Sequence, residues 1–145
     1  MPGRAVIDAS VAAKWLWMEV DSRAAEELSL ALERDKTLPC APDLLLIELH
    51  NVLQRRVRRG DLPPDVPLLK SAPDLGLDFE WYPSVPLLSS ALDICLHHNV
   101  TIYDALYAAL AREIRAPLYT ADKVFYKAMK TSNVKIHCLG LEYIF

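Results

Sequence analysis

The 145-residue sequence predicts an α/β fold, a three-layer α/β/α sandwich with a mostly parallel central sheet. Short apolar segments bounded by turn residues alternate along the chain with longer segments of helical periodicity. Strands separated by helices usually pair in parallel and are covered on both faces. Because 52% of the residues are hydrophobic and 24% are charged, the chain can build one sizeable core. We therefore expect residues 1–145 to form a single domain.

The first part of the chain has the order strand, helix, helix, strand, helix. A short buried strand is expected at "RAVID", and Ser10 is expected to cap the helix that follows it. The later long helix reaches an arginine run and then Gly60, a typical stop signal. The predicted elements are a strand over 4–8, a helix over 11–18, a helix from Ser22 to about Arg34, a strand over 37–41 and a helix begun by Pro42 and Asp43 and ended by Gly60.

The second part begins with a proline-rich stretch, 61–74, in which Pro63, Pro64, Pro67 and Pro73 interrupt regular structure. The remaining segments again alternate between strand and helix patterns. The predicted elements are a strand over 75–82, helices from about Pro86 to His97 and from Ile102 to Ile114, a strand over 116–121, a short helix from Asp122 to Lys130 and a last strand over 134–139.

Charge and motif content exclude several classes of protein. The net charge is -3, so nucleic-acid binding would need a local basic patch such as "RRVRR" at 55–59, which is also explained as a solvated helix end. No apolar run is long enough to cross a membrane, and three widely spaced cysteines do not indicate a disulfide framework. We expect a cytoplasmic protein with no membrane contact. No GxSxG, GxGxxG or P-loop spacing occurs.

Two aspartates follow predicted strands directly. Asp8 ends the first strand, and Asp122 comes just after the strand at "LYT". Because the carboxyl ends of parallel strands meet at one rim of a sheet, we expect these side chains to be neighbours. Each also precedes a helix, where an aspartate commonly caps free N–H groups. Taken singly, either residue is explained by capping.

Two further acids lie in apolar helices. Glu48 is about two turns inside its helix, too deep for the helix dipole to stabilise it, and Arg55 is the nearest candidate for an ion pair. Asp104 begins the nearly all-apolar segment "IYDALYAALA", three residues after Thr101, in the manner of a capping box. An unpaired charge in such a helix costs several kcal/mol, so a cap or a cation must compensate it.

Convergence of all four acids on one rim would change their interpretation. Two unit charges about 4 Å apart repel by about 4 kcal/mol at an effective dielectric of about 20. Protons or cations relieve such repulsion. An all-oxygen cluster suits Mg²⁺ or Mn²⁺, whereas Zn²⁺ prefers histidine and cysteine ligands. The sequence thus points to a hard divalent cation held by Asp8, Glu48, Asp104 and Asp122.

Four blocks of the sequence together resemble the PIN-domain family, in the branch of VapC toxins from toxin-antitoxin operons. The blocks "VIDASVAAKWL", "PDLLLIELHNVL", "TIYDALYAALA" and "LYTADKVF" occur in the family's order across residues 6–125. The resemblance implies a Mg²⁺- or Mn²⁺-dependent endoribonuclease. The family's acids match Asp8, Glu48, Asp104 and Asp122. Its two small hydroxyl residues match Ser10 and Thr120, which would orient the metal ligands or water.

The resemblance also implies partners: an RNA substrate, a second copy in a homodimer and a cognate VapB-like antitoxin. The proline-rich stretch 61–74 has no recognisable family pattern, so it leaves the choice of RNA open. A different class of function is a catalytically inactive PIN-like module that binds RNA or protein. A phosphatase with Asp8 as nucleophile would need a second aspartate where this chain has Ser10.

Overall fold

The computed structural model describes residues 2–17, 22–63 and 78–141. Three sequence predictions therefore lie wholly or partly outside the described residues. They are the end of the first helix at Met18, most of the proline-rich stretch 61–74 and the start of the strand predicted over 75–82.

The centre of the molecule is a five-stranded sheet in which every strand pair is parallel. The strand order is β3-β2-β1-β4-β5, which confirms the predicted α/β sandwich. The strands are β1 (Arg4–Ile7), β2 (Leu38–Pro42), β3 (Glu80–Tyr82), β4 (Leu118–Thr120) and β5 (Ile136–Cys138). β1, β4 and β5 lie inside their predicted segments and are shorter, β2 has the predicted length but lies one residue later, and β3 ends at the predicted residue.

Six α-helices connect the strands within the described residues. A 3₁₀ turn over Val85–Leu87 leads into the fourth helix. The segment predicted to start near Pro86 therefore begins as a 3₁₀ turn and continues as an α-helix. The fifth helix has the predicted bounds. The helices are α1 (Ala9–Leu16), α2 (Ser22–Arg34), α3 (Leu44–Arg58), α4 (Leu88–His98), α5 (Ile102–Ile114) and α6 (Lys123–Met129).

The helices form a layer on each face of the sheet. Parallel strands are joined almost always by right-handed crossovers, so helices that follow β1 and β2 lie on one face and those that follow β3 and β4 lie on the other. In agreement, α1 packs against α2 and α3, while α4 packs against α5. The core between the layers includes Val6 and Ile7 of β1 and Leu110 of α5, all fully buried.

Two predicted helix starts are wrong. Ser10 does not cap α1: the cap is Asp8, whose side chain accepts a hydrogen bond from the Val11 N–H, and Ser10 lies inside the helix. Pro42 does not begin α3, because it is the last residue of β2 and pairs with Tyr82 of β3. A proline fits there since its missing N–H matters least where a ladder ends.

The strand order places a crevice next to β1. The chain crosses in opposite directions from β1 and β4, so their carboxyl ends flank the point where the order reverses, the usual place for ligands in open α/β sheets. The Asp8 N–H donates to the Tyr119 carbonyl at 3.2 Å, which ties the end of β1 to β4.

The described helices include none with both the length and the apolar character needed to cross a membrane.

Candidate active site

A cleft of about 490 Å³ opens at this reversal point. All four acids singled out from the sequence line it, although they come from four different parts of the chain. Basic, polar and small apolar residues line the rest of the cleft. The cleft-lining side chains used below are Asp8, Ser10, Lys14, Glu48, Asn51, Arg55, Arg56, Arg59, Asp104, Tyr107 and Asp122.

Asp8 is the most enclosed of the acids, with only 4% of its surface exposed. Its Oδ1 accepts hydrogen bonds from the Ser10 hydroxyl at 2.6 Å and from the Val11 N–H at 3.2 Å. The Ser10 oxygen in turn accepts the Ala121 N–H at 2.8 Å and lies 3.3 Å from Thr120 Oγ1. The two hydroxyl residues therefore fix the Asp8 carboxylate and join the ends of β1 and β4.

Burial raises the pKa of Asp8 to about 7, against the hydrogen bonds from Ser10, Thr120 and Val11, which lower it. The negative charge of Asp104 raises the pKa of Asp8 further. Near neutral pH this carboxyl therefore holds a proton part of the time. A bound cation would favour the ionised form and release that proton.

Glu48 is held by a tyrosine rather than by the arginine suggested from the sequence. The Tyr107 hydroxyl donates to Glu48 Oε1 at 2.6 Å, linking α5 to α3. In the described part of the chain, the ion pair considered with Arg55 is not formed. Burial raises the pKa of Glu48, the Tyr107 hydrogen bond lowers it, and the charge of Asp104 raises it again.

Asp104 and Asp122 lie at the first turns of two helices. Thr101 caps α5 by accepting the Asp104 N–H at 3.2 Å. Burial and then the charge of Asp122 raise the pKa of Asp104. Asp122 caps α6 by accepting the N–H groups of Val124 and Phe125 at 2.9 and 3.1 Å. Asp8 and Asp122 therefore both cap a helix and line the cleft.

The four acids share the cleft without forming a compact cluster. In residues 2–17, 22–63 and 78–141, no three histidine, cysteine, aspartate or glutamate side chains are close enough to hold one metal ion. Their charges nevertheless interact, since Asp104 raises the pKa of both Asp8 and Glu48. Mg²⁺ keeps several waters and commonly uses only one or two carboxylates, so the oxygen donors fit such an ion.

The cleft wall contributed by the end of α3 is basic. Arg55, Arg56 and Arg59 line it, together with Lys14 from α1. The Arg56 guanidinium lies 5.7 Å from the centre of the Trp17 ring, a cation–π contact that fixes its direction. The arginine run noted in the sequence therefore supplies cations to the same cleft as the acids, despite the net charge of -3.

Two residues of this cleft were not singled out from the sequence. Tyr107 lies three residues after Asp104, and Asn51 lies three residues after Glu48. A polar side chain one helical turn from a candidate acid lies on the same face, and that spacing is the signal that could have found both. Nothing in the sequence alone pairs Tyr107 with Glu48, because they are 59 positions apart.

Comparisons with known proteins agree with this architecture. The PIN domain family model matches residues 5–130. Ribonuclease VapC3 from Pyrobaculum aerophilum is 32% identical over 120 residues, covering 81% of this chain and 88% of the relative.

Solved structures extend the likeness in fold. The crystal structure of PAE2754 from Pyrobaculum aerophilum has a TM-score of 0.63 at 23% identity and covers 91% of this chain and 90% of its own. Mycobacterium tuberculosis VapC20, titled a Sarcin-Ricin loop cleaving toxin, has a TM-score of 0.62 at 15% identity, covering 86% of this chain and 95% of its own. A toxin-antitoxin complex from Klebsiella pneumoniae has a TM-score of 0.57 at 13% identity, covering 92% and 95%. With the family model spanning most of the chain, this protein belongs to the PIN-domain family.

Proposed function

We propose that this protein is a metal-dependent endoribonuclease that hydrolyses RNA phosphodiester bonds, the VapC-like toxin of a toxin-antitoxin pair. One observation carries the proposal: four carboxylates from separate elements line one cleft whose other wall is rich in arginine. The relative named Ribonuclease VapC3 supports the same chemistry. A catalytically inactive module has no need to keep all four acids in one cleft.

Asp8, Glu48, Asp104 and Asp122 would hold Mg²⁺ or Mn²⁺ in this cleft. When bound, such an ion supplies charge stabilisation at phosphate oxygens and lowers the pKa of coordinated water. Ser10 and Thr120 keep the Asp8 carboxylate in place through the hydroxyl network at the ends of β1 and β4. Tyr107 does the same for Glu48, because its hydroxyl occupies one carboxylate oxygen and leaves the other to face a ligand.

The protein's own cations would bind the negatively charged substrate. Arg55 and Arg59 are exposed and line the cleft, so they can accept phosphates adjoining the cleaved bond. The arrangement therefore provides phosphate-binding arginines and metal-holding carboxylates within a single cleft.

The decisive test is cleavage of a cellular RNA pool by purified protein. We expect fragments with Mg²⁺ or Mn²⁺, loss of cleavage with chelator and loss in Asp104→Asn, which keeps the side-chain shape but removes the charge. Asp43→Asn is the matched control, since Asp43 precedes α3 outside the cleft and hydrogen-bonds Ser84. Cleavage that survives both chelation and Asp104→Asn would rule out metal-dependent hydrolysis at these acids.

We propose two protein partners as well. A cognate VapB-like antitoxin is supported by the solved toxin-antitoxin complex with the same fold. A homodimer is supported by an apolar stripe on α4: Leu88, Leu92 and Leu96 are exposed by 42%, 55% and 77% and recur every four residues. Co-purification of a co-expressed antitoxin and the molar mass in solution test these proposals.

A further inference from the structure

We propose that single-stranded RNA in the cleft follows α3, with Asn51 facing the nucleotide beside the cleaved bond and Arg55 and Arg59 facing the phosphates beyond it. This inference rests on the proposed ribonuclease function and deepens it. It assigns a binding path, a direction along one helix and a residue that senses the base next to the cut.

The cleft-lining residues of α3 form a single stripe. Glu48, Asn51, Arg55 and Arg59 are separated by three, four and four positions, the spacing that keeps side chains on one helix face. With a rise of about 1.5 Å per residue, Asn51 lies about 4.5 Å beyond Glu48 along the axis, Arg55 about 10 Å and Arg59 about 16 Å. The stripe thus runs along α3 from Glu48 outward, with one side chain at each helical turn.

The two arginines match a nucleic-acid strand in charge and in repeat. They are about 6 Å apart along the helix axis, which is similar to the separation of neighbouring phosphates in an extended strand. Within the described ranges, neither Arg55 nor Arg59 is held in an ion pair. Arg56 differs because it packs against Trp17. Arg55 and Arg59 are therefore the cations of this wall that are available to successive phosphates.

Asn51 lies on this stripe between Glu48 and the two arginines. Gln54 Nε2 donates to Asn51 Oδ1 at 3.0 Å, which orients the amide. With its oxygen engaged, Asn51 offers its N–H groups to the cleft, and these suit an acceptor on a base edge or ribose. Because it is one turn from Glu48, the group that Asn51 meets belongs to the nucleotide adjoining the cleaved bond.

The enclosure of Asp8 favours a single strand. Asp8 lines the cleft and is only 4% exposed. A phosphate inside a stiff duplex is held away from so enclosed a carboxylate, whereas a loop or an unpaired segment can bend toward it. A strand also presents one phosphate per nucleotide at constant spacing, which fits the four-residue repeat of the arginines better than the irregular charges of an acidic peptide.

Binding measurements test the path. A fluorescent unpaired RNA of about 12 nucleotides is titrated into Asp104→Asn protein, which does not consume it, at several salt concentrations. Adding Arg55→Gln or Arg59→Gln should each reduce the slope of log Kd against log salt by about 0.7. Arg58→Gln removes an equal charge from the same helix end outside the cleft and should leave that slope unchanged.

Cleavage mapping tests Asn51. Asn51→Ala in the otherwise unchanged chain should lower kcat/KM by roughly tenfold, the effect of one lost hydrogen bond, and broaden the choice of base beside the cut. Arg55→Gln and Arg59→Gln should weaken binding without altering that choice. Unchanged base choice in Asn51→Ala, at an unchanged melting temperature, would contradict its assigned contact.

The outcomes separate this inference from the proposed function. Metal-dependent cleavage by the parent protein, with Arg55→Gln and Arg59→Gln indistinguishable from Arg58→Gln, would overturn the path alone. Salt-dependent RNA binding through these arginines without any cleavage would overturn the proposed function alone. If the two arginine variants lose binding to a poly-glutamate peptide but keep RNA binding, α3 binds a protein partner and the inference is wrong.

Discussion

At the scale of single residues, Asp8 has three structural roles. It directly follows β1, caps α1 and lines the acidic cleft. Its enclosure is what raises its pKa to about 7. A carboxylate so placed costs stability whenever it is ionised.

The pKa of Asp8 predicts how stability depends on pH without metal. Between pH 3.8, the ordinary pKa, and about 7 in the folded state, only the unfolded chain loses this proton, so the free energy of unfolding falls as pH rises. Below pH 3.8 the stabilisation from the proton on Asp8 is fully present, and above about pH 7 it is lost. At about 1.4 kcal/mol per pKa unit and about 3 units of difference between the two states, we expect Asp8→Asn to be more stable than the parent by up to about 4 kcal/mol at alkaline pH.

Urea denaturation in chelator measures this effect. The advantage of Asp8→Asn should nearly vanish near the lower end of the window, because the parent carboxyl is then protonated in both states. An advantage of equal size at both ends of the window would contradict the assigned pKa. RNA cleavage should be lost in this variant at every pH.

Tyr107 gives a second prediction at this scale. Tyr107→Phe removes only the hydroxyl that donates to Glu48 at 2.6 Å. Without that bond the Glu48 carboxylate gains rotamer freedom, so we expect Mn²⁺ affinity, measured by calorimetry, to fall by about tenfold to a hundredfold. Tyr103→Phe is the matched control, since Tyr103 is exposed on the same helix. A lower melting temperature with unchanged Mn²⁺ affinity would leave Tyr107 with a structural role only.

At the scale of elements, local signals explain where helices start more often than where strands end. α5 has the predicted bounds because Thr101 is a strong cap and Arg115 adopts a left-handed conformation at its end. β4 and β5 end one residue earlier than predicted, because the apolar residues Ala121 and Leu139 continue the pattern past the last strand residue. Ser10 looked like a cap by residue type, but Asp8 reaches the Val11 N–H and takes that place.

The apolar stripe of α4 leads to a prediction about assembly. Leu92→Glu places a charge at the centre of Leu88, Leu92 and Leu96, so we expect a dimer to dissociate while the monomer stays folded. Light scattering coupled to size exclusion gives the molar mass. Ser89→Glu adds the same charge at an exposed position next to the stripe and should leave the dimer intact. A monomeric parent protein would refute the proposed homodimer.

At the scale of the whole molecule, the proposed binding of a metal ion in the cleft would be coupled to stability. A cation that binds only the folded chain stabilises it, by about 1.4 kcal/mol when its concentration is ten times Kd. We therefore expect Mg²⁺ to raise the melting temperature of the parent protein and to have a much smaller effect on Asp104→Asn. Equal responses in the two proteins would place the bound ion away from Asp104.

The sequence by itself determined the fold class and the order of elements, and it singled out the four acids that line one cleft, because these depend on local periodicity, turn residues and the spacing of motifs. It also placed Asp8 and Asp122 at one rim, since parallel strands end on the same side. Only the tertiary structure decided that Tyr107 holds Glu48, that Arg55 and Arg59 share the cleft with the acids, and that, among the described residues, no three candidate metal ligands lie close enough to hold one ion. Those facts depend on contacts between residues far apart in the chain, whose distances are set by packing rather than by local pattern.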